Sequence, residues 1–132
     1  MEYLTRVVRS RPLTIHFCLF NPQRTGRPVY IPRTLGPLGV FVTLEVRDAS
    51  GELVYDGPTV RATHRLAPSD PGSYHELEAG YTFGVMLEVD DFDPPAGEYQ
   101  LRVQYANRPF SGTPSTPVGA LTFETTLPFT AP

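Results

Sequence analysis

The feature that most constrains this chain is alternation: apolar residues recur at every second position, in short runs broken by proline and glycine. In "LTIHFCLF", Leu13, Ile15, Phe17 and Leu19 fall on one side of an extended chain, and Thr14, His16, Cys18 and Phe20 on the other. The pattern returns in "VFVTLEVRD" (Val40, Val42, Leu44, Val46), in "YTFGVMLEV" (Tyr81, Phe83, Val85, Leu87, Val89) and in "YQLRVQY" (Tyr99, Leu101, Val103, Tyr105). "EYLTRVV" reads as a first strand, "DASGELVYDG" as a turn and a further short strand, and "GALTFETTLPF" as the last strand. No window has the 3.6-residue period of an amphipathic helix. The 15 prolines and 11 glycines are spread along the chain, as many short strands joined by turns require. These features predict an all-β chain: an antiparallel sandwich of about seven to nine strands. The expected core is Ile15, Phe17, Leu19, Val42, Leu44, Val46, Phe83, Val85, Leu87, Tyr99, Leu101, Val103 and Phe123.

One segment sharpens the prediction. In "DFDPPAGEYQLRVQY" an acidic, proline-rich turn and Gly97 lead into Tyr99 at the start of the penultimate strand. This resembles the tyrosine corner of immunoglobulin-like sandwiches, whose hydroxyl bonds to backbone a few residues upstream. Antibody-type domains place a cysteine two residues later, where this chain has Leu101. With Cys18 alone, no internal disulfide can form, which fits a reducing compartment.

The 132 residues are expected to form one immunoglobulin-like β-sandwich domain, 1–132. At this size a fold hides roughly two-thirds of the surface its unfolded chain exposes, enough for a core without staples. The formal charge of -3, with no basic patch, gives no electrostatic support for nucleic-acid binding. No stretch approaches the ~20 apolar residues of a membrane helix, so no membrane role is expected. Residues 1–20 carry Arg6, Arg9 and Arg11 and no signal-peptide pattern; if Met1 is the native start, the cytoplasm is the expected location.

Side chains capable of chemistry are scattered. His16 shares a strand face with Cys18, and such a pair can ligate a metal or activate a thiol. A metal site needs three or four ligands, and no second ligand pair stands close by in sequence. The pair therefore reads as a surface histidine beside a half-buried thiol. Asp90, Asp91 and Asp93 lack the spacing of a calcium loop and read as an acidic turn. Asp70, Ser73 and His75 are close in sequence, but no nucleophile elbow frames the serine. No glycine-rich phosphate cradle is present. The chain is expected to be no enzyme and to need no metal or other cofactor.

Several pieces in order are similar to the N-terminal β-sandwich domain that precedes the catalytic domain of deuterolysin-type zinc metallopeptidases. They are "LFNPQRTGRPVYIP", "LGPLGVFVTLEVRDASGELVYDGPTVRA", "YHELEAGYTF" and "AGEYQLRVQYAN", and the most specific is Tyr55 to Arg61. No His-Glu-x-x-His occurs, so the peptidase site itself is absent. The resemblance implies an immunoglobulin-like accessory module.

A second resemblance is to chagasin-like inhibitors of papain-type cysteine proteases, also immunoglobulin-like sandwiches. "NPQRTG" (Asn21, Pro22, Arg24 and Gly26 among its residues) resembles their Asn-Pro-x-x-Gly loop, with one extra residue before the glycine. "RPF" (Arg108, Pro109, Phe110) resembles their later Arg-Pro-aromatic loop. Their middle glycine-rich loop has no clear counterpart, because "LGPLG" comes too early. The resemblance implies a wedge built from residues 21–26 and 107–112. The plainer reading of "NPQRTG" is a turn out of the second strand, with "VYI" (Val29 to Ile31) a short edge strand stopped by its flanking prolines.

The expected function is thus a non-catalytic protein-interaction module with a protein partner, and edge strands also offer a route to a homodimer. The alternative is a protease inhibitor acting through the two loops.

Overall fold

The computed structural model describes residues 2–22, 29–32, 35, 38–39, 41–57, 74–106 and 122–132. Among these residues there are nine strands and no helix: β1 (Glu2–Ser10), β2 (Leu13–Phe20), β3 (Val29–Pro32), β4 (Val42–Asp48), β5 (Leu53–Asp56), β6 (Tyr74–Leu77), β7 (Thr82–Val89), β8 (Gly97–Ala106) and β9 (Thr122–Ala131). They form a three-stranded sheet, β1-β2-β7, a four-stranded sheet, β5-β4-β8-β9, and a two-stranded ribbon, β3-β6; all pairs are antiparallel. This is a β-sandwich with the immunoglobulin-like division of strands between two sheets.

The alternation in sequence becomes the layering of the sandwich. Leu13, Ile15, Phe17 and Leu19 of β2 face Val42, Leu44 and Val46 of β4 and Leu101, Val103 and Tyr105 of β8 in one buried cluster. Of the expected core, Phe83, Val85 and Phe123 are only partly buried and pack against that cluster. They lie on β7 and β9, each paired on one side only, where the second sheet does not fully cover them. Leu13, Ile31, Leu35, Phe41, Leu77, Val89, Phe129 and Ala131 complete the core.

Aromatic rings lock the two sheets together at one end. Phe17 stacks on Tyr105 with centroids 5.8 Å apart, Tyr105 on Phe123 at 5.7 Å, and Phe123 on Tyr3 at 4.6 Å. Such pairs add about 0.5–1.5 kcal/mol each beyond the area they bury. At the other end the Tyr99 hydroxyl donates to the Pro95 carbonyl at 2.6 Å, the tyrosine corner anticipated from the sequence. Leu101, at the cysteine position of antibody domains, is fully buried and fills that place with hydrocarbon.

The free edge of β9 is blunted. Pro128 pairs opposite Gln100 and has no N–H, so its backbone faces away from β8. Glu124, four residues earlier, shares that orientation, and its carbonyl accepts the Tyr3 hydroxyl at 2.7 Å.

Candidate functional site

Asn21 stands where β2 ends. Its N–H donates to the Tyr81 carbonyl at 3.1 Å, and its own carbonyl accepts the Gly80 N–H at 2.8 Å. Its side-chain Nδ2 donates to the Leu77 carbonyl at 3.1 Å, and the residue is 0% exposed. Its side chain therefore ties the end of β2 to the end of β6, and its backbone ties it to the turn between β6 and β7. Pro22, exposed and without an N–H, has no backbone donor with which to extend the ladder. Asn21 serves as internal support at this end of β2 and presents no surface of its own. Arg24, Gly26, Arg108, Pro109 and Phe110 lie outside the described residues, as do Tyr55–Arg61 beyond Gly57, His64, Asp70 and Ser73.

The roots of the two loops are nonetheless placed. β2 ends at Phe20, two residues before Pro22, and β8 ends at Ala106. Phe20 pairs with Thr82, Val42 pairs with Tyr105, and Phe17 stacks on Tyr105. The C-terminal ends of β2 and β8 are thus at the same end of the sandwich.

A third segment joins them there, and its last residue, Tyr81, departs from the strand that alternation predicts. Residues Glu78 to Tyr81 form a tight turn closed by Tyr81 N–H to the Glu78 carbonyl at 3.1 Å. Gly80 has φ of +82°, as the third residue of a type II turn requires. Tyr81, expected to continue the inward row of Phe83 and Val85, instead lies before β7 and is 65% exposed. The clue in the sequence was "EAGY": a glycine directly before the aromatic residue marks a turn more strongly than alternation marks a strand.

On the outer face of the β1-β2-β7 sheet, Cys18 Sγ lies 3.2 Å from His16 Nε2. Burial pushes the thiol above its ordinary value, and the Arg6 guanidinium pulls in the opposite direction. The thiol is accordingly held neutral at physiological pH, a poor nucleophile. A Cβ placed on Gly84 of β7 would sit 2.9 Å from Sγ and 3.0 Å from Nε2, so both atoms occupy space that a glycine leaves open.

The acidic residues of the β7–β8 connection diverge. Asp91 accepts the Tyr55 hydroxyl at 2.8 Å, and burial together with that carboxylate pushes the phenol pKa well up. Asp93 lies 3.5 Å from Arg11 Nε, and Arg11 also donates to the Pro94 carbonyl at 2.8 Å. In the β4–β5 turn, Asp48 caps backbone amides. Its Oδ1 accepts Ser50 Oγ at 2.6 Å and the N–H groups of Ser50 and Glu52, and these bonds lower its pKa. Among the described residues no three His, Cys, Asp or Glu side chains come together as a metal site.

Compared with family models, curated proteins and solved structures, the chain finds no match, so its reading rests on the geometry above.

Proposed function

We propose that this protein is a non-catalytic protein-interaction module that meets its partner with one end of the sandwich. The observation that carries the reading is the convergence at that end of the loop roots at Pro22 and Ala106 with the Gly80–Tyr81 turn. Tyr81 supplies the kind of anchor such surfaces use: a large, rigid aromatic with a polar tip. Asn21 supports the surface from beneath. A homodimer through sandwich edges is the lesser route, because Pro128 and the Tyr3–Glu124 bond obstruct strand pairing along β9. Affinity capture with wild-type and Tyr81→Ala baits tests the reading. A partner held by the wild type and lost by the variant supports it; a partner held equally by both places the contact elsewhere.

One observation favours a more specific second reading, inhibition of papain-type cysteine proteases. That resemblance includes a middle glycine-rich loop, and the Glu78–Tyr81 turn, which carries Gly80, lies against Asn21 and falls between the two segments in chain order. Titration of papain with the purified protein decides it. Stoichiometric inhibition that is lost on deleting residues 107–112 supports the wedge. Undiminished papain activity at tens of micromolar protein rejects it.

A further inference from the structure

The outer face of the β1-β2-β7 sheet brings Met86 of β7 to a thiol and an imidazole that share one face of β2. Ile15, Phe17 and Leu19 point into the core, so His16 and Cys18 point outward from β2. On β7, Leu87 and Val89 are buried and Gly84 and Met86 face outward. In the β2–β7 register Cys18 is opposite Gly84, and His16 is directly opposite Met86. Opposed residues in an antiparallel pair have Cβ atoms about 4.5–5.5 Å apart. The flexible Met86 side chain, 53% exposed, can therefore reach the His16 ring.

We propose that this face binds one soft monovalent metal ion, Cu(I) in the cell, between Cys18 Sγ, His16 Nε2 and the Met86 thioether. With bonds of ~2.3 Å to sulfur and ~2.0 Å to imidazole nitrogen, atoms 3.2 Å apart subtend roughly 95° at a shared ion. Opening by a few tenths of an ångström reaches the trigonal angle, and Met86 closes the third side. Gly84 makes the site: its missing side chain leaves the pocket floor over which Sγ and Nε2 converge.

The chemistry of the surroundings selects the ion. Thiolate, thioether and imidazole suit Cu(I) and not the hard cations. The positions directly opposite Cys18 and His16 on this face are Leu4 and Arg6 of β1 and Gly84 and Met86 of β7, with no carboxylate among them; Glu88, the next outward position of β7, lies 3.9 Å from Arg9. Arg6, opposite His16, disfavours a divalent ion. A monovalent ion beside one thiolate leaves the site with no added charge, since the thiol proton passes to solvent as the metal–sulfur bond forms.

The test is an anaerobic titration of the reduced full chain with Cu(I) against a chromophoric chelator, bathocuproine disulfonate, followed by X-ray absorption of the loaded protein. One equivalent per chain is expected, with mixed sulfur and nitrogen coordination. Cys18→Ser should abolish binding. His16→Gln and Met86→Leu should each weaken it by at least about tenfold, since losing a ligand costs no less than losing an outer partner. Gly84→Ala should also weaken it by crowding Sγ and Nε2. Met86 is largely exposed, so Met86→Leu keeps the fold and remains decisive if Gly84→Ala fails to fold. Affinity unchanged in both His16→Gln and Met86→Leu would show a bare thiol adduct and overturn the proposal, as would failure of the wild type to compete for one equivalent.

Discussion

The hydroxyl of Tyr99 and the carbonyl of Pro95 are 2.6 Å apart, and this bond fixes how the chain enters β8. The ring beside it stacks on Phe129, with centroids 5.2 Å apart, so packing and hydrogen bond are separable. Tyr99→Phe keeps the ring and orphans the carbonyl. It should cost about 1–2 kcal/mol, read as a lower urea midpoint with an unchanged slope. A midpoint equal to that of the wild type would show that solvent satisfies Pro95 equally well.

Asn21 is buried among backbone groups, so its role can be separated from that of any contact residue. Asn21→Ala leaves the Leu77 carbonyl without its donor and should lower stability by about 1–3 kcal/mol. Tyr81→Ala, at an exposed position, should change stability by no more than about 0.5 kcal/mol. Chemical denaturation of the two variants side by side checks the division between support and contact.

Gly80 has open space where a side chain would go, yet its φ of +82° is unfavourable for most L-residues. Gly80→Ala should therefore cost about 1–2 kcal/mol from backbone strain alone, and Gly80→Asn distinctly less, because asparagine tolerates that conformation. Equal midpoints for the two variants would show that the turn relaxes to another geometry.

Acid should weaken this fold through two surface carboxylates. Hydrogen bonds from Arg102 and Gln104 lower the pKa of Glu124, and the Ser50 hydroxyl with the turn amides lowers that of Asp48. Both bind protons less readily folded than unfolded, so stability rises with pH across this window. Their contribution is complete above the unfolded values of about 4 and disappears as pH falls through the lower folded values. Melting temperature against pH should thus show an acid flank that flattens in the Asp48→Asn, Glu124→Gln double variant. Glu124 is paired with Arg102 at 2.8 Å on an open surface, so raised salt should shrink its share.

Much of the fold was legible in the sequence because the period of two is a local rule. Each strand carries its own inside and outside, so "LTIHFCLF" and "YQLRVQY" named their buried residues without knowledge of any partner. The tyrosine corner was legible for the same reason: turn, glycine and tyrosine are neighbours in sequence. Tyr81 was misplaced because alternation continues through "GYTF" while the backbone at Gly80 does not. Phe83, Val85 and Phe123 were ranked too deep because their alternation does not reveal which strand ends a sheet. The candidate end surface was half legible: the two segments and a wedge at one end followed from the resemblance, but the turn at Gly80 did not.

What the sequence by itself determined was which residues face inward, where the chain turns, and that no disulfide or recognised catalytic motif accompanies them. Those properties depend on residues within a few positions of one another. Only the tertiary structure decided which strands lie side by side, and so which side chains meet. Register set Met86 opposite His16 and Gly84 opposite Cys18, and folding brought the C-terminal ends of β2 and β8 to the same end of the sandwich. Pairing is chosen by the summed burial of whole strands, a quantity no single segment contains.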